Sequence, residues 1–339
     1  MDTPHASQTE SHENSVRNSK LEPPPLLTTP CAPRPSFEVV HTTGREDLAT
    51  VFVVRFPHGN VCEMVDAVDP RYPKTDKWIL NLSTQFGCPV GCPYCDAGGG
   101  YRGDVSAKEM LAMVHHLVAR NEEGLAQRCK KLKVHFSRMG EPALNDAVLE
   151  VLPRLREWLS GPDVWVCIAT TAPRRRHRWF HALTRLKNAL FPRRFQLQLS
   201  LNSTDEAARR RLVPMDHLSL GELASLGERF YSTGDRKIGL NFALARDVPF
   251  QAETIKRWFD PSVFCVKLTP VNPTERGREN GVETVLRSER EEALEESMRD
   301  LRGWGYDVVL SVGDAGEDEI GSNCGQAVRF LATKQSETS

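Results

Sequence analysis

Cys88, Cys92 and Cys95 stand in the stretch STQFGCPVGCPYCDAGGGYRG, three thiols within eight positions. Thiolates are soft ligands that suit zinc or iron–sulfur clusters. A structural zinc site needs a fourth protein ligand, typically from a second Cys or His pair. No such pair follows: His115 and His116 fall inside a helical pattern, and Cys129 stands alone. Three thiolates suit a four-iron cube whose fourth iron keeps an open position where a substrate can chelate. On that reading the missing ligand is the function.

The loop follows the β-rich run KWILNLST and precedes SAKEMLAMVHHLVAR. In the latter, Ser106 and Glu109 have capping-box spacing, and Leu111, Val114, Leu117 and Val118 recur on one helical face. Five more β-runs follow: KLKVHFS, VWVCIATT, RFQLQLSLN, KIGLNFAL and FCVKLTPVN, with helical patterns between them. One of these patterns spans 282–305, with Leu286, Leu294, Met298 and Leu301 as its apolar positions. Such alternation predicts an α/β fold of parallel strands with helical crossovers, either an open sheet or a barrel. In both, catalytic groups gather at the carboxyl ends of the strands, where the three-cysteine loop lies. Upstream, LATVFVVRFPHGNVCEMVDAV reads as two strands around Pro57–Asn60. Residues 1–35, rich in Ser, Thr and Pro, read as a disordered tail.

The chain has 339 residues, 40% hydrophobic and 26% charged, which fits a soluble globular protein. It shows neither a spanning apolar run nor a signal-peptide pattern, so no membrane role and a cytoplasmic location are expected. Nine irregularly spaced cysteines argue against a secreted disulfide framework. A net charge of −1 gives no global attraction to nucleic acid. One local exception, Pro173–Arg194, carries many cations and no acid, with Trp179, Phe180 and Phe191 interleaved. It reads either as a solvated helix face or as a source of phosphate contacts and stacking.

Cys88-x3-Cys92-x2-Cys95 with Tyr94 before the last cysteine resembles the cluster motif of radical S-adenosylmethionine (SAM) enzymes. STQFGC, MGEPALN (139–145), SLN (200–202), TPVNP (269–273) and GEDEIGSNCGQ (316–326), in that order, narrow the resemblance to the RlmN/Cfr type, the radical SAM methyltransferases of RNA adenine. The resemblance runs from about Val51 to Ala327. It implies a partial (β/α)6 barrel over 78–330 that ends in a catalytic-cysteine loop. A small β-hairpin extension would occupy 36–77 and a flexible tail 331–339. Cys88, Cys92 and Cys95 would hold a [4Fe-4S] cluster whose open iron is chelated by S-adenosyl-L-methionine. Gly140 and Glu141 would bind the cofactor's amino-acid end, although a Gly-Glu-Pro alone reads as a turn. Ser200, Leu201, Asn202 and Asn272 would contact its sugar and adenine. Cys324 would carry the methyl group as S-methylcysteine, and Glu63 would accept the proton lost from the methylated carbon. The implied reaction moves a methyl group from SAM to an sp2 ring carbon, C2 or C8, of adenine in ribosomal or transfer RNA. The implied protein is a monomer served by a reducing donor such as flavodoxin or ferredoxin. A small heteroaromatic metabolite is the alternative substrate, and a cluster- or zinc-binding regulator without turnover is the reading from another class.

Three departures matter. Asn81 stands where the family has a second cysteine that closes a transient disulfide with the methyl-carrying one, and Cys62, beside Glu63, is a substitute thiol. Only a short polar tail precedes the hairpin, where the family usually carries a helical RNA-gripping module. Ala169 occupies the place of a cofactor-contacting hydroxyl, leaving Thr170 or Thr171 to compensate.

Overall fold

A computed structural model describes residues 36–69, 71–159, 163–285, 291–311 and 324–337. The expected tail 1–35 and the acidic run up to Asn323 lie outside these residues. Among the described residues, ten strands form one sheet whose spatial order is the chain order, β1 to β10. β1 (Glu38–Arg45), β2 (Ala49–Arg55) and β3 (Val61–Val68) form an antiparallel meander, and β3 pairs antiparallel with β4 (Trp78–Leu82). From β4 onward every neighbour is parallel: β5 (Leu132–Phe136), β6 (Val164–Thr170), β7 (Phe195–Ser200), β8 (Ile238–Leu244), β9 (Phe264–Pro270) and β10 (Val308–Leu310). All six β-runs of the parallel part are strands.

Because the order never reverses, right-handed crossovers put every intervening helix on the same side of the sheet. That face is dry: Leu80, Val134, Val166, Leu197, Leu240 and Val266 are buried there in one core with the helices. Positions of the other parity, such as Asn81, His135, Cys167 and Gln198, form a polar opposite face. The helix Ala107–Ala119 starts at the expected capping box, with both Ser106 and Glu109 reaching back to backbone N–H groups. No helix among the described residues is long and apolar enough to cross a membrane.

Four expectations need correction. The N-terminal extension has three strands, because the polar β1 pairs along all of β2, a pairing its sequence does not advertise. It is also continuous with the main sheet through Met64 opposite Leu82. Of the helix expected over 282–305, the described residues show Glu291–Gly303, with Leu294, Met298 and Leu301 buried. Thr284 instead bridges to Ala245 as extended chain, and Leu286 lies outside the described residues. The flexible tail over 331–339 is helical to Glu337, within Gln326–Glu337, because Ala327, Val328 and Leu331 pack on β2 and β3.

The helix Leu220–Phe230 lies so close to the sheet that a Cβ on Gly227 would stand 2.4 Å from the Phe264 ring. Alanine raises helix propensity by about 1 kcal/mol over glycine, but overpacking costs about 1–3 kcal/mol. Gly227→Ala is therefore expected to lower stability in urea unfolding, against the propensity trend.

Candidate active site

The three-cysteine loop is folded back on itself. Cys88 N–H donates to Gly99 O at 3.2 Å, Gly99 N–H to Cys88 O at 2.8 Å, and Phe86 N–H to Gly103 O at 2.9 Å. Gly87 is required at this crossing, since its φ is +78° and a Cβ would meet Gly100 O at 2.5 Å. From the far side the loop is gripped by the short helix Glu275–Glu279, which follows β9. Thr274 Oγ1 donates to Tyr94 O at 2.8 Å, Arg276 Nε to Cys92 O at 3.1 Å, and Arg276 N–H to Asp96 Oδ1 at 2.8 Å. Asp96, Thr274 and Arg276 were not singled out in the sequence. The only signal was local: an acid after the last cysteine, and a Thr-Glu pair suited to start a helix.

Burial pushes the Cys88 thiol up to about 12 and raises Cys92 as well. Tyr94 donates to Cys92 and accepts from Asn202 Nδ2 at 2.8 Å, tying the loop to the end of β7. Three soft donors on one pinned loop have the chemistry of an iron–sulfur cluster site, although among the described residues no group of three or more His, Cys, Asp or Glu side chains is drawn together as a metal ion would hold them. Binding of metal would take these thiols as thiolates, against their resting protonation.

Cys324 lies beside Cys95, and its thiol donates a hydrogen bond to it. That bond raises Cys324 far above an ordinary thiol and holds Cys95 down. Two constraints place it there. Gly325 has φ +83°, and a Cβ would stand 2.2 Å from Ala97 N, so the backbone at Gly325, next to Cys324, rests directly on that of the cysteine loop. Glu63 supplies the other. Its carboxylate is fully buried, accepts from Gly325 N–H and Val328 N–H at 3.0 Å each, and pairs with Arg138 at 2.8 Å. Cys62 is on the wrong side to act as the substitute thiol. Neighbouring strand residues point to opposite faces, and its Sγ packs in the core, 3.9 Å from Met113 Sδ. Asn81 Oδ1 accepts from Ser137 Oγ at 3.3 Å.

Glu141 is buried just beyond β5. Oε1 accepts from Thr170 Oγ1 and from Ala143 N–H at 3.0 Å, and Oε2 from Thr171 N–H at 2.7 Å and Thr171 Oγ1 at 2.8 Å. Burial nevertheless raises its pKa above the usual carboxylate value. Ala169 offers no hydroxyl, but both following threonines meet Glu141. Gly140, at φ +107°, passes so close to Thr84 and Gln85 that a Cβ would stand 2.6 Å from Thr84 Oγ1. Ser200 is half-buried at the end of β7, whereas Leu201 lies wholly in the core, its N–H donating to Asn241 O at 2.9 Å and its carbonyl accepting from Arg209 Nε at 3.3 Å. Asn202 holds φ +64°, a left-handed conformation that asparagine tolerates. Asn272 follows β9, and its carbonyl accepts from Thr274 N–H at 2.8 Å.

The cationic segment 173–194 is only partly neutralised, since Arg175, Arg178, Arg185 and Arg193 are exposed and form no ion pair among the described residues. Arg174 pairs with Asp216 and Glu222, Arg176 with Asp146, Lys187 with Asp235 and Arg194 with Asp163. Trp179, Phe180 and Phe191 are at most 3% exposed, because the helix His177–Leu190 turns them into the core. None is available to stack on a base.

Two substitutions test this geometry. Gly325→Ala would lift Cys324 off the cysteine loop while leaving the three cluster thiols in place. Reconstitution with iron should be normal and methyl incorporation into Cys324 should fall at least tenfold, read by peptide mass spectrometry. Glu63→Gln removes the buried carboxylate that pairs with Arg138, a change worth about 3–5 kcal/mol. It should lower the urea midpoint and also expose Gly325 and Val328 amides to hydrogen exchange.

No protein-family model matches the chain. It is 28% identical over 259 residues to a Frankia alni protein named "Probable dual-specificity RNA methyltransferase RlmN", a match covering 71% of this chain and 59% of that protein. Proteins of the same name from Thermobifida fusca and Cutibacterium acnes are 27% and 29% identical, covering 78% and 79% of this chain and 70% and 67% of theirs. The chain thus spans about three fifths of the Frankia alni relative and about two thirds of the other two. A solved radical SAM methyltransferase from Sphaerobacter thermophilus shares the fold, with a TM-score of 0.69 at 22% identity over 86% of this chain and 81% of that one. With the cysteine loop, the all-parallel run of strands and these relatives together, the chain is similar to the RlmN-named methyltransferases in sequence and to a radical SAM methyltransferase in fold.

Proposed function

We propose that the chain is a radical SAM RNA methyltransferase that transfers a methyl group to an sp2 carbon, C2 or C8, of adenine through S-methylcysteine at Cys324. Its parallel strands, wound in one direction, are the wall of a partial (β/α)6 barrel. The observation that carries the reading is the docking of Cys324 against Cys95 by Gly325 and Glu63, since a methyl-carrying thiol must sit at the cluster. A cluster on Cys88, Cys92 and Cys95, with SAM bound, supplies one-electron cleavage of a sulfonium bond.

The chain's own residues do the rest. Cys324 Sγ would take the methyl group as a thiolate, after losing the proton it shares with Cys95, because only the thiolate is nucleophilic. Glu141 and the Thr170–Thr171 hydroxyls form a polar cradle for the cofactor's ammonium, with Gly140 kept bare for close approach. Ser200, Asn202 and Asn272 border the place for its sugar and adenine, with the buried Leu201 holding the turn between the first two. Glu63 holds the Cys324 loop and takes the proton released from the methylated carbon, with Arg138 as its counter-charge.

The buried rings of segment 173–194, which leave no aromatic there to stack on a base, favour a second reading, a small heteroaromatic metabolite as substrate. Anaerobic reconstitution with SAM carrying a deuterated methyl group separates the two. Labelled methyl on the Cys324 peptide and labelled methyladenosine in digested cellular RNA are expected. Label on Cys324 with none in RNA would transfer the activity to the metabolite, and label on neither would overturn both.

A further inference from the structure

The sheet face turned away from the helices carries a charge that the methyl-transfer site does not use. Lys133, the second residue of β5, is 7% exposed, and its ammonium bonds a neutral partner, Gln196 Oε1, at 3.1 Å. No carboxylate forms an ion pair with it among the described residues. A lysine is seldom buried unless paired, because an unmatched charge in a poorly solvated place is costly. Two positions on, His135 Nε2 is buried with no hydrogen-bond partner. Across the register His135 lies beside Cys167 and Cys167 beside Gln196, whose Oε1 also accepts from Cys167 Sγ at 3.7 Å.

The surroundings add positive charge. No Asp or Glu occupies a position of this parity in β4 to β9, whereas Lys133 and Lys267 do. Burial depresses the His135 pKa far below its usual value, and Lys133, Lys267, Lys77 and Arg236 push it the same way. Burial likewise lowers Lys133, with Arg236, Lys77 and Lys131 contributing in the same direction. Carboxylates of the neighbourhood are engaged elsewhere: Asp69 by Lys77 and Arg71, Asp163 by Arg194, and Asp307 by Lys237.

We infer that Lys133, His135 and the Gln196–Cys167 pair form an anion site for a phosphoryl group. The Lys133 ammonium supplies the charge, and the unpartnered His135 nitrogen donates one hydrogen bond in its Nε2–H form. An anion seated there supplies the missing counter-charge for Lys133 and a partner for His135 at once. Three residues of β5 separate Lys133 from the strand end, about 10 Å at strand rise, and Gly140 and Glu141 lie farther on. The site therefore stands below the cofactor residues on the same strands and does not depend on the methyl-transfer reading.

The test uses the full chain and inorganic phosphate against chloride at matched ionic strength, with affinity measured by calorimetry and the unfolding midpoint by circular dichroism. Phosphate should bind and raise the midpoint. Lys133→Met should weaken binding at least tenfold, while Lys133→Arg should retain most of it. His135→Phe, which removes the donor without altering the lysine, should weaken it severalfold and serves if Lys133→Met does not fold. Adenosine 5′-monophosphate and an oligoribonucleotide without terminal phosphates then compete. Displacement by the monophosphate makes a free ester the source of the group, and displacement by the oligomer alone makes it a backbone phosphate. Absence of a phosphate effect, an equal effect in Lys133→Met or His135→Phe, or a phosphate effect that neither competitor displaces overturns the assignment.

Discussion

A buried carboxylate with its charge met from three directions holds this molecule's reactive end together. Glu63 stands in the N-terminal meander, Arg138 follows β5, and Gly325 and Val328 begin the C-terminal helix, 262 and 265 residues away in sequence. Removing such a charge from water is tolerable only when the partners are fixed. Ser83 fixes them further, accepting from Glu63 N–H at 3.2 Å and donating to Glu63 O at 2.6 Å. The antiparallel extension is thereby more than an edge on the sheet: it brings the one carboxylate that fastens Cys324 to the cysteine loop.

The sheet makes that fastening possible. Because the parallel strands run in chain order, the loops after β4, β5, β6, β7 and β9 leave from one edge. The cysteine loop, Glu141, the Thr170–Thr171 pair, Asn202 and Thr274 therefore meet, although they are spread over almost 190 residues. Small residues sit where backbones cross: Gly87, Gly140 and Gly325 are all at positive φ, with no room for a Cβ.

What sequence could and could not convey follows from the range of the forces involved. Period-2 alternation marked the six parallel strands, and the Ser106–Glu109 spacing marked the start of the helix after the loop, because both signals are local. The spacing of Cys88, Cys92 and Cys95 is local too. β1 escaped notice because its partner, not its polar composition, makes it a strand, and β10 is three residues long. Part of the arginine-rich segment is neutralised by residues its own sequence does not contain. Its counter-ions Asp216, Glu222 and Asp235 stand some 40 residues downstream and come near only after folding. The opposite facing of Cys62 and Glu63 was implicit in strand alternation, but which face met Cys324 required the pairing of β3 with β4.

The docking of Cys324 against the cysteine loop is the claim on which the account rests, and thiol trapping in metal-free protein tests it most directly. Brief oxidation with copper phenanthroline, followed by quenching and peptide mapping, should give a Cys95–Cys324 disulfide as the dominant cross-link. A Cys324 that stays free while other thiols pair, or that pairs with a cysteine outside the loop, would contradict it.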